Sequence, residues 1–515
     1  MASGLQPEWL TRLLADNPGP GPKIYRQTVD DLLQSNDCSS RDLGSSVSSR
    51  GTCDAKNRAE DARRRIYILG AGNLGRLFAA SLAKLPDRPP ITLVVHRSSL
   101  LEQWHARPGL LLYPQSYLRD GARAEDEKHT RVTGVDVEWW TDTPRPRLSH
   151  DRSMGAENTT DVAELGRIEN LIVATKAQDA LPQVDWLRRY LGPGTTVAFL
   201  QNGMNKLWPP YGAVYNAARY DDDPPPEATG TGTGVQARKH PRWLACVVTH
   251  GVLSLGPFES VHASPAGVAF GPVDREPPSE VSGSYLDQQL LAAPQLQARR
   301  VSRSELWMLQ LEKLMVNAVI NPLTAILRCR NGDLFVQQEG HGDEAEKHPD
   351  IVAQIIDQLI AEASNVMQHL ALYDTSSRAI LGEAPDAAAA DGSAGSGCQA
   401  FLDRLSFTQL RAMVYRVGAV VKDNTSSMLQ DVRAGKPTEV REFNGWIVDT
   451  AAYVESLGTA NGKPLDVRAH QTLIDLVEAG AILQKEQLQP YFSFLYGGGA
   501  GGGGEELSPS KRRNR

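Results

Sequence analysis

One hexapeptide restricts the fold more than any other stretch of the chain. Ile66-Tyr67-Ile68-Leu69 is a short apolar strand that runs into Gly70-Ala71-Gly72-Asn73-Leu74-Gly75, and the residues from Arg76 to Ala83 that follow have helical character. Strand, G-x-G-x-x-G turn and helix in that order open a Rossmann unit. Gly70 permits the tight turn. Gly72 lets the backbone approach a pyrophosphate, and Gly75 lets the helix pack close to the strand, with the helix N-terminus facing the phosphates. A plain glycine-rich turn is the competing reading, and the flanking strand and helix argue against it. The motif therefore predicts cofactor contacts from Gly70, Ala71, Gly72, Asn73, Leu74 and Gly75.

The next strand, Ile91-Thr92-Leu93-Val94-Val95, ends in His96-Arg97-Ser98-Ser99. A site for NADH would place Asp or Glu there, on the ribose hydroxyls. A guanidinium pairs instead with a 2′-phosphate, so Arg97 points to NADPH, unless it is an ordinary surface arginine. Two further apolar strands end in polar residues: Leu171–Thr175 before Lys176, and Thr195–Leu200 before Gln201-Asn202. In a parallel sheet those carboxyl ends border the ligand crevice, which places Lys176 and Asn202 beside cofactor or substrate, each with a turn role as the alternative.

The chain of 515 residues has room for two domains, and its net charge of -7 argues against a general nucleic-acid binder. It has no run of about 20 apolar residues, hence no expected membrane span. Cys38, Cys53, Cys246, Cys329 and Cys398 are odd in number and lack metal-ligand spacing, which suggests a reducing compartment and no metal site. No apolar signal segment opens the chain, so a cytoplasmic location is expected, with Arg63-Arg64-Arg65 leaving a mitochondrial one open. Residues 1–64 read as a disordered extension, 209–241 as a disordered insertion, 272–300 as a second insertion and 497–515 as a disordered tail. Between them lie a Rossmann domain over 65–300 and a helical domain over 301–496. Ile351–Leu372 and Phe407–Leu429 are its long amphipathic stretches.

The helical half carries two polar constellations. Leu306, Leu309, Leu314, Val316, Val319 and Ile320 recur at near-helical spacing. Lys313, Asn317 and Asn321 sit among them at i, i+4 and i+8, and at ~100° per residue their heads share one stripe. A cation and two carboxamides so aligned suit a small anion with carbonyl and hydroxyl oxygens; a solvated stripe with Asn321 capping a break at Pro322 is the alternative. Pro322 is expected to end or kink the helix. The second constellation, Asn424-Thr425-Ser426-Ser427-Met428-Leu429-Gln430-Asp431, precedes Thr438-Glu439, which starts a helix over about 438–457. Capping by Thr438, with Glu439 favoured by the helix dipole, is the purely local explanation.

Together these pieces resemble the ketopantoate reductase (2-dehydropantoate 2-reductase) family in an insertion-bearing form like those of fungi, over roughly 65–490. The specific segments are Lys313 to Ala325, then Ser426 to Asp431 with Thr438-Glu439. The resemblance implies an α/β N-terminal Rossmann domain followed by an all-α C-terminal domain like that of 6-phosphogluconate dehydrogenase, with the active site in the cleft. It implies that Lys313 is the catalytic lysine and Glu439 the acidic residue completing the site. Asn202, Asn317, Asn321 and Ser427 then bind substrate, while Arg97, Lys176, Asn202 and Glu439 stand beside the cofactor. Many members carry a tryptophan closer to the lysine than Trp307 is to Lys313.

The implied reaction is NADPH-dependent reduction of 2-dehydropantoate to (R)-pantoate, in pantothenate biosynthesis. Another branched 2-oxo acid such as 2-ketoisovalerate is an alternative substrate, and a catalytically idle NADP-binding regulator is an alternative role. The expected partner is the small 2-oxo acid, with no nucleic acid, membrane or metal, in a monomer or homodimer.

Overall fold

The computed structural model of the chain describes residues 6–16, 18–31, 60–120, 131–143, 167–221, 238–276, 283–335, 350–382, 396–458 and 464–496. The first half is organised by one sheet. Its strands are β1 (Tyr25–Gln27), β2 (Ile66–Leu69), β3 (Ile91–Val95), β6 (Asp136–Thr141), β7 (Asn170–Val173), β8 (Thr196–Phe199), β9 (Arg242–Val248), β12 (Val268–Pro272) and β13 (Ala298–Arg300). They neighbour in the order β1-β6-β3-β2-β7-β8-β9-β12-β13. From β6 to β9 every pairing is parallel, while β1 on β6 and β12 on β9 are antiparallel. β2, β3, β7 and β8 are buried at every position, the burial that covering a parallel sheet on both faces produces. A smaller sheet, β10 (Gly251–Gly256), β11 (Glu259–Ser264), β4 (Leu110–Tyr113) and β5 (Arg131–Val132), runs β10-β11-β4-β5.

The strand order reverses between β2 and β7, since β2 leads to β3 on one side while β7 lies on the other. Such a reversal splays the loops at the carboxyl ends and opens a crevice there. The glycine turn follows β2, Lys176 follows β7, and Asn202 follows β8. The Rossmann reading is thus met, strand by strand, where it positions the site.

Helices named below are α1 (Glu8–Ala15), α2 (Asn73–Leu82), α3 (Ala177–Trp186), α4 (Tyr211–Tyr220), α5 (Arg303–Leu327), α6 (Ile351–Tyr373), α7 (Phe407–Val420), α8 (Ser427–Arg433), α9 (Trp446–Ser456) and α10 (Arg468–Glu478). In the helical half α5 is central. Ser302 caps it by accepting from the Glu305 amide at 3.2 Å, and its apolar positions from Leu306 to Ile326 are buried, save the partly buried Leu309 and Val316. The expected break at Pro322 is absent, for α5 continues to Leu327. Proline has no N–H, so the carbonyl of Ala318 loses its helical donor. The Asn444 side chain replaces it, donating Nδ2 to that carbonyl at 2.9 Å. Asn444 is fully buried in a π-helical turn, Arg441–Gly445, that precedes α9.

Two expectations of disorder are corrected, and two further stretches resolve into defined elements. Residues 6–31, read as disordered, contain α1 and β1. Leu10 and Ile24 are fully buried, and the Tyr190 hydroxyl accepts from the Ile24 amide at 2.7 Å. Part of 209–241 is α4, whose Tyr215 is fully buried and whose Asn216 accepts from the Trp243 indole at 3.0 Å. Part of 272–300 is a helix, Tyr285–Ala292, with edge strand β13, secured by Arg242 on Asp287 at 2.7 Å. The stretch Phe407–Leu429 is two helices, because Ser426 caps a new one, accepting from the Leu429 amide at 3.1 Å. Of those segments, 1–5, 17, 32–59, 222–237 and 277–282 lie outside the described residues, as does 497–515.

Candidate active site

The glycine turn has the shape its sequence calls for. Gly70 has φ +112°, and a Cβ there would meet the Ala174 carbonyl oxygen at 2.9 Å. A Cβ on Gly75 would meet the Gly70 carbonyl oxygen at 2.0 Å, so both positions demand glycine. At Gly72 the nearest atom to such a Cβ is 3.8 Å away, which leaves room for an incoming group. Gly72 caps α2 without any side-chain hydrogen bond, so the first-turn amides remain donors for a ligand at the positive end of the helix. Ala71, Asn73 and Leu74 complete the turn, with Arg97 exposed past the end of β3. These residues fit a dinucleotide.

Lys313 reaches this same edge from α5. Its ammonium donates to Asn202 Oδ1 at 2.7 Å and to the Val248 carbonyl at 2.6 Å. Asn202 follows β8 and Val248 ends β9, so the helical domain delivers one cation to the carboxyl edge of the Rossmann sheet. Burial pulls its pKa down to about 8, against a smaller upward pull from Glu439. Among the described residues no carboxylate hydrogen-bonds the ammonium; both acceptors are neutral carbonyl oxygens.

Glu439 lies elsewhere in the cleft than a direct partner of Lys313. It is 5% exposed, accepts from the Ala177 amide at the start of α3 at 3.0 Å, and lies 3.4 Å from the Lys176 ammonium. Lys176 also donates to Asp431 of α8. Burial alone would lower the Lys176 pKa, but Glu439 and Asp431 outweigh it and raise it. Lys176 thus pairs across the cleft with two carboxylates of the helical domain. Sequence reading gave Asp431 no role, although it lies inside the Ser-Ser-Met-Leu-Gln-Asp segment. The expectation of a helix starting at Thr438-Glu439 also shifts: helical structure begins at Val440 and opens with the π turn.

Asn317 and Asn321 lie on the stripe with Lys313. Asn321 donates Nδ2 to Ser427 Oγ at 3.4 Å, while Asn317 Nδ2 is buried with no partner among the described residues. The sequence-predicted residues therefore converge on one cleft, except that Arg97 stands at its outer, β3 end. Among the described residues no group of three or more His, Cys, Asp or Glu is placed to hold a metal ion. No described helix is long and apolar enough to cross a membrane.

A glycine turn at the switch point of a parallel sheet, closed by a helical domain that brings one lysine to the same edge, is the layout of a dinucleotide-linked oxidoreductase. Comparison with known families narrows this. The model for ketopantoate reductase PanE/ApbA matches residues 66–275, and that for the ketopantoate reductase C terminal matches 305–480. The chain belongs to the ketopantoate reductase family.

Among its relatives, ketoisovalerate reductase BEA2 of Gibberella fujikuroi is 38% identical over 95% of this chain and 99% of its own length. Ketoisovalerate reductase of Beauveria bassiana is 35% identical over the same shares. The probable 2-dehydropantoate 2-reductase of Schizosaccharomyces pombe is 26% identical over 75% of this chain and 90% of its own.

Proposed function

We propose that this protein reduces a branched 2-oxo acid, 2-ketoisovalerate, to its 2-hydroxy acid with NADPH. The observation that carries the reaction class is the Lys313 ammonium, held at 2.7 and 2.6 Å by neutral oxygens at the cofactor edge. Bound NADPH supplies the hydride. Lys313 meets the carbonyl oxygen, stabilises the charge that develops there, and gives up its proton. A pKa of about 8 suits that task, because the group is charged at neutral pH yet yields a proton readily. Asn317 Nδ2 offers a buried donor for a substrate oxygen. Asn202 holds Lys313 in place, and Glu439 sets α3 and Lys176 beside it. Arg97 supports the choice of NADPH.

Two observations support 2-ketoisovalerate over ketopantoate. Relatives at 38% and 35% identity carry the ketoisovalerate name, whereas the pantoate-reductase relative stands at 26%. Ketopantoate also bears a hydroxyl that 2-ketoisovalerate lacks. A site built to bind a hydroxyl penalises its absence by roughly 10⁴-fold, because the partner groups are left unpaired. Here Asn321 Nδ2 already has Ser427 Oγ as an acceptor at 3.4 Å, so a substrate without that hydroxyl leaves this donor paired.

NADPH oxidation by the purified chain, with both acids side by side, tests the reading. The expected result is a kcat/KM for 2-ketoisovalerate at least ~10-fold above that for ketopantoate. The reverse order would return the protein to pantoate synthesis, and no rate with either acid would favour a catalytically idle dinucleotide-binding protein.

A further inference from the structure

A buried cation lies one helical turn below the glycine turn, and nothing in the chemistry above uses it. Arg76 of α2 is 4% exposed. Its Nη1 donates to the Glu259 carbonyl at 3.0 Å and to the Gly256 carbonyl, and its Nη2 to Ser254 Oγ at 3.0 Å and Asn73 Oδ1 at 2.7 Å. Asn73 in turn donates Nδ2 to the Val252 carbonyl at 2.9 Å. Gly256, Glu259, Ser254 and Val252 all belong to the β10–β11 hairpin. One guanidinium therefore ties that hairpin to Asn73, the first residue of α2.

Every hydrogen-bond partner of Arg76 among the described residues is neutral. The Glu259 carboxylate hydrogen-bonds Arg107 at 2.7 Å and acts on Arg76 only through space, without a direct ion pair. Burial pulls its pKa down to about 10 against a smaller upward pull from Glu259, which leaves it charged at neutral pH. Burying a cation without a directly hydrogen-bonded counter-ion is costly, and packing alone would be served by an aliphatic side chain. The cost is rational if an anion binds nearby. The N-terminus of α2 already favours one, and Arg76 adds a full charge to the same end.

We infer that Arg76 is a positioning residue for the cofactor pyrophosphate: through Asn73 and the β10–β11 hairpin it fixes the first-turn amides of α2, and its buried positive charge strengthens their field. The inference rests on the dinucleotide reading of the turn, not on the identity of the oxo acid. The pyrophosphate is common to NADPH and NADH, whereas Arg97 bears only on the 2′-phosphate.

The test is the dissociation constant of NADPH and of NADH, by protein fluorescence without any oxo acid, for the wild-type chain, Arg76→Met, Asn73→Ala and Arg97→Ala. Arg76→Met is expected to weaken both coenzymes by one common factor of about 10, and Asn73→Ala both by a smaller common factor. Arg97→Ala is expected to weaken NADPH alone. Constants within twofold of wild type in folded Arg76→Met overturn the inference, as does a change confined to NADPH. If Arg76→Met does not fold, Asn73→Ala decides, because it cuts the same tether at a half-buried side chain. Wild-type protein that binds neither coenzyme overturns the dinucleotide reading itself.

Discussion

The chemistry assigned to Lys313 depends on its proton, and so predicts a pH dependence with a definite sign. The folded-state pKa is lowered, to about 8, so the ammonium is intact below that value and is lost above it. For the free enzyme, kcat/KM for oxo-acid reduction should be flat below about pH 8 and fall by up to tenfold per unit above it, while oxidation of the hydroxy acid rises over the same interval. A steady-state pH profile in both directions checks this. Lys313→Arg should be slow but lack the fall near pH 8, since a guanidinium keeps its charge there. Asn202 is the second residue to probe at this scale. Asn202→Ala removes one of the two acceptors that hold the ammonium, 2.7 Å away, and should lower kcat by roughly 10-fold.

At the scale of elements, the central helix persists through Pro322 because another side chain does what a backbone amide would have done. Asn444→Ala leaves the Ala318 carbonyl buried and unpaired and should cost about 1–3 kcal/mol, read by urea unfolding. Pro322→Ala restores the missing N–H. In the Asn444→Ala background it should therefore recover part of the loss, with a coupling of about 1 kcal/mol in the double-mutant cycle. Additive effects would show that Asn444 stabilises the fold by some other route, such as its 3.0 Å contact with His470 of α10. The stripe of Lys313, Asn317 and Asn321 straddles this part of α5, so under the proposed function kcat should follow the same pattern of loss and rescue.

For the whole molecule, the two halves meet through more than the cleft. Trp9 of α1 packs edge-on against Tyr211 of α4, Tyr211 packs on Tyr453 of α9, and Lys206 lies 5.4 Å from the Trp9 ring while pairing with Glu442 at 2.9 Å. Removing residues 1–31 would expose the surface that Leu10 and Ile24 cover, and should destabilise the chain by at least about 3 kcal/mol, visible as a lower Tm. The parallel strands, the glycine turn and the Lys-Asn-Asn stripe were legible in the sequence because each follows from local rules: apolar runs, glycine spacing and helical period. What escaped depended on distant partners. Ordered structure in 6–31 rests on Tyr190 and Arg219, helix continuity at Pro322 on Asn444, and the Lys176 clamp on Asp431, none of which is adjacent in sequence. For Glu439, too, spacing reveals neither its 3.0 Å bond to the Ala177 amide nor the domain that carries Ala177. The most direct measurement of the central claim is single-turnover coenzyme oxidation with 2-ketoisovalerate, comparing wild-type protein with Lys313→Ala. The account predicts NADPH affinity within about threefold and a hydride-transfer rate lower by roughly 10² or more. A rate within tenfold of wild type would contradict it.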